Sequence, residues 1–157
     1  MNLVLIFRFM KGKNRTIDLN NIHDEEQGRV MERIEKDGVC PFCLENFTKY
    51  HKKPILKEGK YWLLTENEWP YKNTRVHMLA VHKEHIESIA QMKTEAFAEL
   101  GELFKWVVEE YAVAGGGLFM RFGETKYTGG SVTHLHAQIL QADIDSPGYE
   151  KLKVRLG

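Results

Sequence analysis

Gly129-Gly130-Ser131-Val132-Thr133-His134-Leu135-His136-Ala137-Gln138-Ile139-Leu140 is the stretch of this 157-residue chain that decides how the rest is read. As a strand it places His134, His136 and Gln138 on one face, with Val132 and Leu140 at its ends. Leu135, Ala137 and Ile139 share the other face, which is apolar and fit for a core. Same-face residues recur about every 6.5–7 Å, so three polar groups stand in line. Burying them is costly unless each is satisfied. A solvated sheet face explains one histidine; two histidines and a glutamine behind a glycine pair and a serine point to a site. Gly129 and Gly130 let backbone amides approach an anion closely, and the Ser131 hydroxyl adds a donor. An imidazole with its ordinary pKa of about 6.5 is largely neutral at pH 7 and can attack a phosphate held before it. The chemistry indicated is phosphoryl or nucleotidyl transfer.

Outward from this strand, residues 118–122 read as another, and 88–112 carry apolar residues at helical spacing, including Ile89, Met92, Phe104 and Val107. Gly115-Gly116-Gly117 closes that helix; no Lys-Ser/Thr follows, so it is a turn and not a phosphate loop. Residues 61–64 and 76–81 are strand-sized, joined through Trp69-Pro70-Tyr71-Lys72-Asn73. Residues 24–36 put Val30, Met31 and Ile34 on one stripe, with Gly38 as the helix stop. The order strand, strand, long helix, strand, strand predicts one α+β domain over 1–157, with a mostly antiparallel sheet and a short N-terminal helix.

Composition narrows the function. Twenty-two Lys+Arg balance 22 Asp+Glu, so no overall field recruits nucleic acid or an anionic membrane. Two cysteines exclude a disulfide scaffold. The apolar run at residues 1–10 is short of the ~20 residues of a membrane span and lacks the flanks of a signal peptide. It reads as a strand or docked arm, and the cytoplasm is the expected address. Lys11, Lys13 and Arg15 read as a solvated loop, and His23 and His51 as solvated side chains.

Cys40-Pro41-Phe42-Cys43 has two chemical readings besides buried thiols. A redox dithiol expects a strand before the motif and a helix opening at it, within a βαβ unit. Half of a zinc site needs two further ligands, and histidines are available in Ala80-Val81-His82-Lys83-Glu84-His85-Ile86 and in the histidine strand. His82 and His85 stand at the first of these places, and His134 and His136 at the second.

These residues resemble the histidine triad (HIT) superfamily. The resemblance rests on Gly129-Gly130-Ser131-Val132-x-His134-x-His136-x-Gln138, Cys40-Pro41-Phe42-Cys43, Asn67-x-Trp69-Pro70 and His77-Met78-Leu79-Ala80-Val81-x-Lys83-x-His85-Ile86, and covers roughly residues 40–141. It implies a HIT-like fold and an enzyme acting at the α-phosphorus of a nucleotide through a covalent nucleotidyl-histidine, a hydrolase or a nucleotidyltransferase. His136 takes the nucleophile's place. Gln138 and Ser131, with the Gly130 amide, would hold phosphate oxygens; Asn67 would contact ribose, and His77 would orient the strand. The zinc-bearing members imply a structural zinc on Cys40, Cys43, His85 and His134. Implied partners are a nucleotide substrate (dinucleoside polyphosphate, nucleoside phosphoramidate or nucleotide sugar) and a second copy, with the long helices and the exposed aromatics Phe104 and Trp106 at the dimer interface.

The sequence departs from the family pattern in three ways. Gln138 stands where a third histidine is usual, similar to the branch of galactose-1-phosphate uridylyltransferases and diadenosine tetraphosphate phosphorylases. Gly123 stands where many members carry asparagine, with Arg121 as its candidate replacement. Residues 1–39 and 142–157 match no family motif. Two other readings are a nucleotide-binding module without turnover and a thiol oxidoreductase using Cys40 and Cys43.

Overall fold

The histidine-bearing segment forms an inner strand of a five-stranded antiparallel sheet. The computed structural model describes residues 16–157; the expected arm over 1–10 and the basic loop residues Lys11, Lys13 and Arg15 lie outside them. The strands are β1 (Ile55–Glu58), β2 (Trp62–Glu66), β3 (Thr74–His82), β4 (Gly117–Arg121) and β5 (His136–Ala142). Their spatial order is β1-β2-β3-β5-β4, every pair antiparallel. The helices are α1 (Glu25–Asp37), α2 (Leu44–Tyr50), α3 (Thr94–Glu110) and the single turn α4 (Thr125–Thr128). This is the expected α+β architecture, with one long helix and a short N-terminal one. No helix among the described residues is long and apolar enough to cross a membrane.

One sheet face packs on α3: Leu64, Met78, Ala80, Ala137 and Ile139 meet Ala96, Leu100, Phe104 and Val107 in one cluster. The other face carries Leu63, Leu79 and Val81 against Phe47 of α2. Beside it, Met31 and Ile34 of α1 pack with Ile17, Cys40, Tyr50 and Val132. Helix α1 starts where the Asp24 carboxylate accepts the Glu26 and Gln27 N–H groups, and stops at Gly38, whose φ of 70° is left-handed.

The structure corrects several boundaries. Strand β5 starts at His136, not Ser131, because residues 131–135 bond elsewhere. Val132 bridges Ile17, and the Leu135 N–H donates to the Ile86 carbonyl at 2.7 Å. The long helix starts at Thr94; Ile89–Gln91 is a separate 3-10 turn capped by Ser88 and Gln91. Phe104 is buried in the core, so it is not an exposed interface aromatic, and Trp106 is half-buried with Lys57 Nζ 4.7 Å above its ring. His51 is buried rather than solvated: its Nε2 lies 2.8 Å from Thr65 Oγ1 and its ring stacks on Phe47. Burial lowers its pKa, so it sits neutral beside Glu68. His23 is exposed. Strand β1 and helix α2 are additional to the predicted elements.

Candidate active site

Antiparallel register sets His136 of β5 opposite Val81 of β3 and Arg121 of β4, on the sheet face away from α3. The ring is buried, and its Nδ1 lies 2.7 Å from the His134 carbonyl oxygen. A carbonyl only accepts, so Nδ1 carries the proton and Nε2 keeps its lone pair. Burial pushes the imidazole down to about 4, and the Arg121 charge adds to that, so the ring is neutral at physiological pH. Phe42 meets it edge to face at 5.3 Å and fixes the ring plane.

Two residues along β5, Gln138 shares this face with His77 of β3. The Tyr71 N–H donates to His77 Nδ1 at 3.0 Å, which leaves the proton on Nε2. That nitrogen donates to Gln138 Oε1 at 2.6 Å, and Asn67 Nδ2 lies 3.1 Å from it. Burial holds His77 down to about 4, so this tautomer persists at neutral pH. The Gln138 amide nitrogen is therefore the end that can serve as a donor in the cleft.

The cleft in front of these groups is narrow, about 80 Å³, and is lined by Phe42, Asn67, Trp69, Ser131, His136 and Gln138 among others. The Ser131 N–H and hydroxyl make no hydrogen bond with the described residues. The Gly130 N–H donates to Thr128 Oγ1 at 3.1 Å, and Gly130 does not line this cleft. Asn67 lines the cleft while its Oδ1 accepts the Trp69 N–H at 2.9 Å. Gly123 adopts φ 79°. Arg121 turns inward and bonds Thr128 O, Tyr71 Oη and Arg155 O; it does not line this cleft.

Just before the start of β5, His134 joins Cys40, Cys43 and His85, their ligand atoms all within 4.8 Å of one another. Cys40 Sγ lies 3.4 Å from His134 Nδ1, and Cys43 Sγ lies 3.3 Å from His85 Nδ1 and 3.8 Å from His134 Nδ1. Bonds of ~2.3 Å to sulfur and ~2.0 Å to nitrogen at tetrahedral angles put S and N about 3.5 Å apart, so the donor set fits a four-coordinate ion. Each ring's other nitrogen faces an acceptor: His134 Nε2 lies 2.6 Å from the His82 carbonyl, and His85 Nε2 lies 3.4 Å from Glu87 Oε1. That fixes the tautomer that frees Nδ1 for a metal. His82 stands outside the cluster, its Nδ1 on the Glu84 carbonyl at 3.0 Å. Both cysteines are free, and α1, not a strand, precedes them, so the βαβ frame of a redox dithiol is missing.

No protein-family model matches the sequence, and no curated protein does. Solved structures do match. A HIT family hydrolase from Clostridium thermocellum is 25% identical, with 69% of this chain and 94% of that one covered at a TM-score of 0.52. A histidine triad protein from Clostridium difficile is 23% identical over 71% of this chain and 96% of that one, TM-score 0.52. A Zn-bound histidine triad family protein from Mycobacterium smegmatis is 18% identical over 75% and 82%, TM-score 0.54. The fold is that of the histidine triad proteins.

Within this histidine triad fold, α1 and the residues before it complete the cleft, which sequence reasoning missed. His23, Gln27, Met31 and the buried His51 all line it. The available signal was Gln27, a polar residue four before Met31 on the buried stripe of an amphipathic helix, and it is buried. Phe42 was read only as part of a turn, yet it touches both His134 and His136.

Proposed function

We propose that this chain is a nucleotide hydrolase or nucleotidyltransferase of the histidine triad type, working through His136. One observation carries the reading: a buried, neutral imidazole that lines a cleft, with its Nδ1 proton held by the His134 carbonyl and the lone pair therefore on Nε2. In the first step Nε2 forms a bond to the α-phosphorus as the bond to the leaving group breaks, and the leaving group takes the electron pair. Ser131 and the Gln138 amide offset the charge on the phosphate oxygens. In the second step the oxygen of water, phosphate or a sugar phosphate forms a bond to phosphorus as the P–N bond breaks, the histidine leaves with its lone pair restored, and an attacking water gives up its proton to solvent. Asn67 contacts the ribose. Gln138 in the third triad position shifts the weight from a simple hydrolase towards a transferase.

The cluster of Cys40, Cys43, His85 and His134 would hold zinc, which supplies a structural crosslink there because four protein ligands fill the coordination shell. A homodimer in the cytoplasm belongs to the same reading. Phe97, Val108, Leu118 and Phe122 are exposed on α3 and at the edge strand β4, which supports pairing of two copies.

The test is intact-protein mass after brief exposure to diadenosine tetraphosphate, adenosine phosphoramidate or a UDP-sugar, quenched in base. A nucleotide-sized adduct on wild type and none on His136→Ala is the expected result. An adduct on both proteins would remove the nucleophile assignment.

A further inference from the structure

Next to the catalytic cleft lies a second chamber of about 520 Å³. The two share Asn21, His23, Tyr71 and Gly129 in their walls, so they adjoin. Its charge sets it apart: Lys72, Arg121, Lys151, Lys153 and Arg155 line it, with Glu150 and Gly157, which bears the terminal carboxylate, as the acidic members. Among the described residues none of the five cations has a carboxylate within salt-bridge distance. For the exposed lysines that is ordinary. For Arg121 it is not, because the residue is 7% exposed and a buried cation without a counter-ion is costly. Three hydrogen bonds to carbonyl and phenol oxygens engage its Nε and Nη2, and Nη1 bonds nothing among the described residues.

The tail that supplies three of these cations is fixed in place. The Arg155 carbonyl accepts from Arg121, and the Glu150 carbonyl accepts from Asn73 Nδ2 at 3.3 Å. Gly129 admits the tail because a Cβ there would stand 3.2 Å from the Arg155 oxygen. The cleft itself is a poor place for several charges, since it is narrow and has Phe42, Met31, Leu79 and Trp69 in its walls.

Building on the nucleotide-transfer reading, we infer that the chamber is a polyphosphate subsite that holds the leaving group of the substrate. The preferred donor is then a nucleotide whose departing portion carries several phosphates, in place of an amine or a sugar phosphate. The P–O bond between the α-phosphorus and this portion breaks, the electron pair leaves with the departing phosphate oxygen, and the charge it gains develops beside unpaired cations.

The test uses the full chain and a Lys151→Ala/Lys153→Ala/Arg155→Ala variant, whose side chains are exposed and whose backbone carbonyls remain to bind Arg121. Sodium tripolyphosphate is titrated into both by calorimetry. Wild type should bind it with an affinity that falls with salt, and the variant about tenfold more weakly. Then kcat/KM is compared for adenosine tetraphosphate and adenosine phosphoramidate, which share an adenylyl group and differ in what leaves. The variant should lose about tenfold on the first and less than about twofold on the second. Failure of wild type to bind tripolyphosphate, equal binding by the variant, or equal loss on both donors would each overturn the inference. If wild type binds tripolyphosphate through these side chains yet turns over neither donor, the polyphosphate site stands and the nucleotide-transfer reading fails.

Discussion

Gln138 Oε1 lies 2.6 Å from His77 Nε2, and that bond decides which end of the glutamine faces the cleft. His77 can donate there because the Tyr71 N–H occupies its Nδ1. The amide nitrogen of Gln138 is thereby left free as a donor, two residues from His136 on the same strand. Replacing His77 by Phe keeps the volume and removes the donor. The glutamine is then free to flip, and kcat/KM is expected to fall about 10- to 100-fold. Steady-state kinetics with a nucleotide donor checks this; unchanged kcat/KM would mean the relay has no role.

His136→Ala is expected to lower kcat by at least about 10³-fold, since no neighbouring group replaces the attacking nitrogen. Thermal unfolding of the same variant separates loss of the nucleophile from loss of the fold.

The pH dependence of stability has a definite sign. Burial pushes folded His77 down to about 4, against an ordinary value of about 6.5. Between these values the unfolded chain takes up a proton that the folded chain refuses. Stability is therefore lost as the pH falls from about 6.5 to about 4, by roughly 3 kcal/mol for this group alone, and is fully present above that window. Urea melts of wild type and His77→Phe at pH 7 and pH 4.5 measure it. The wild type should lose more on acidification than the variant.

Metal content should track the cluster. Cys40→Ala and His85→Ala are expected to reduce zinc from about one ion per chain to a small fraction, whereas His82→Ala retains it. Loss of the crosslink should cost about 3 kcal/mol, or roughly 6–12 °C in Tm. Elemental analysis after dialysis against a weak chelator, followed by calorimetric melts, gives both numbers.

Met31→Ala tests whether α1 belongs to the site as well as the core. Met31 is 4% exposed, packs with Ile34, Cys40 and Val132, and also borders the cleft. The substitution should cost about 2–5 kcal/mol in urea unfolding. It should also raise KM for the nucleotide donor, a change that a core residue remote from the site would not produce.

The parts of the fold that were legible in the sequence are those with strong periodicity. Alternation along His136-Ala137-Gln138-Ile139 placed the right residues in the core, and Asp24 and Gly38 bracketed α1 closely. Strand β1 escaped because Ile55-Leu56-Lys57-Glu58 is an exposed edge strand with no apolar alternation. Helix α2, only seven residues long, offers less than two full repeats to read. His51 carried no local sign of burial: Phe47 stacks on it from one turn earlier in α2, but Thr65, which bonds its ring, comes from β2. The basic chamber was beyond reach for the same reason. Its cations lie at 72, 121 and 151–155, and only the tertiary path of the tail assembles them.

The acceptor that fixes the His136 ring is a peptide carbonyl, not a side chain. Any amino acid at position 134 supplies that oxygen, so substitutions there that spare the backbone path leave the choice of tautomer intact. A descendant could discard both cysteines and His134, accept a less stable scaffold, and still aim the same lone pair. The anchoring half of the site and its reactive half are thus separable in inheritance, joined by geometry that mutation cannot edit one side chain at a time.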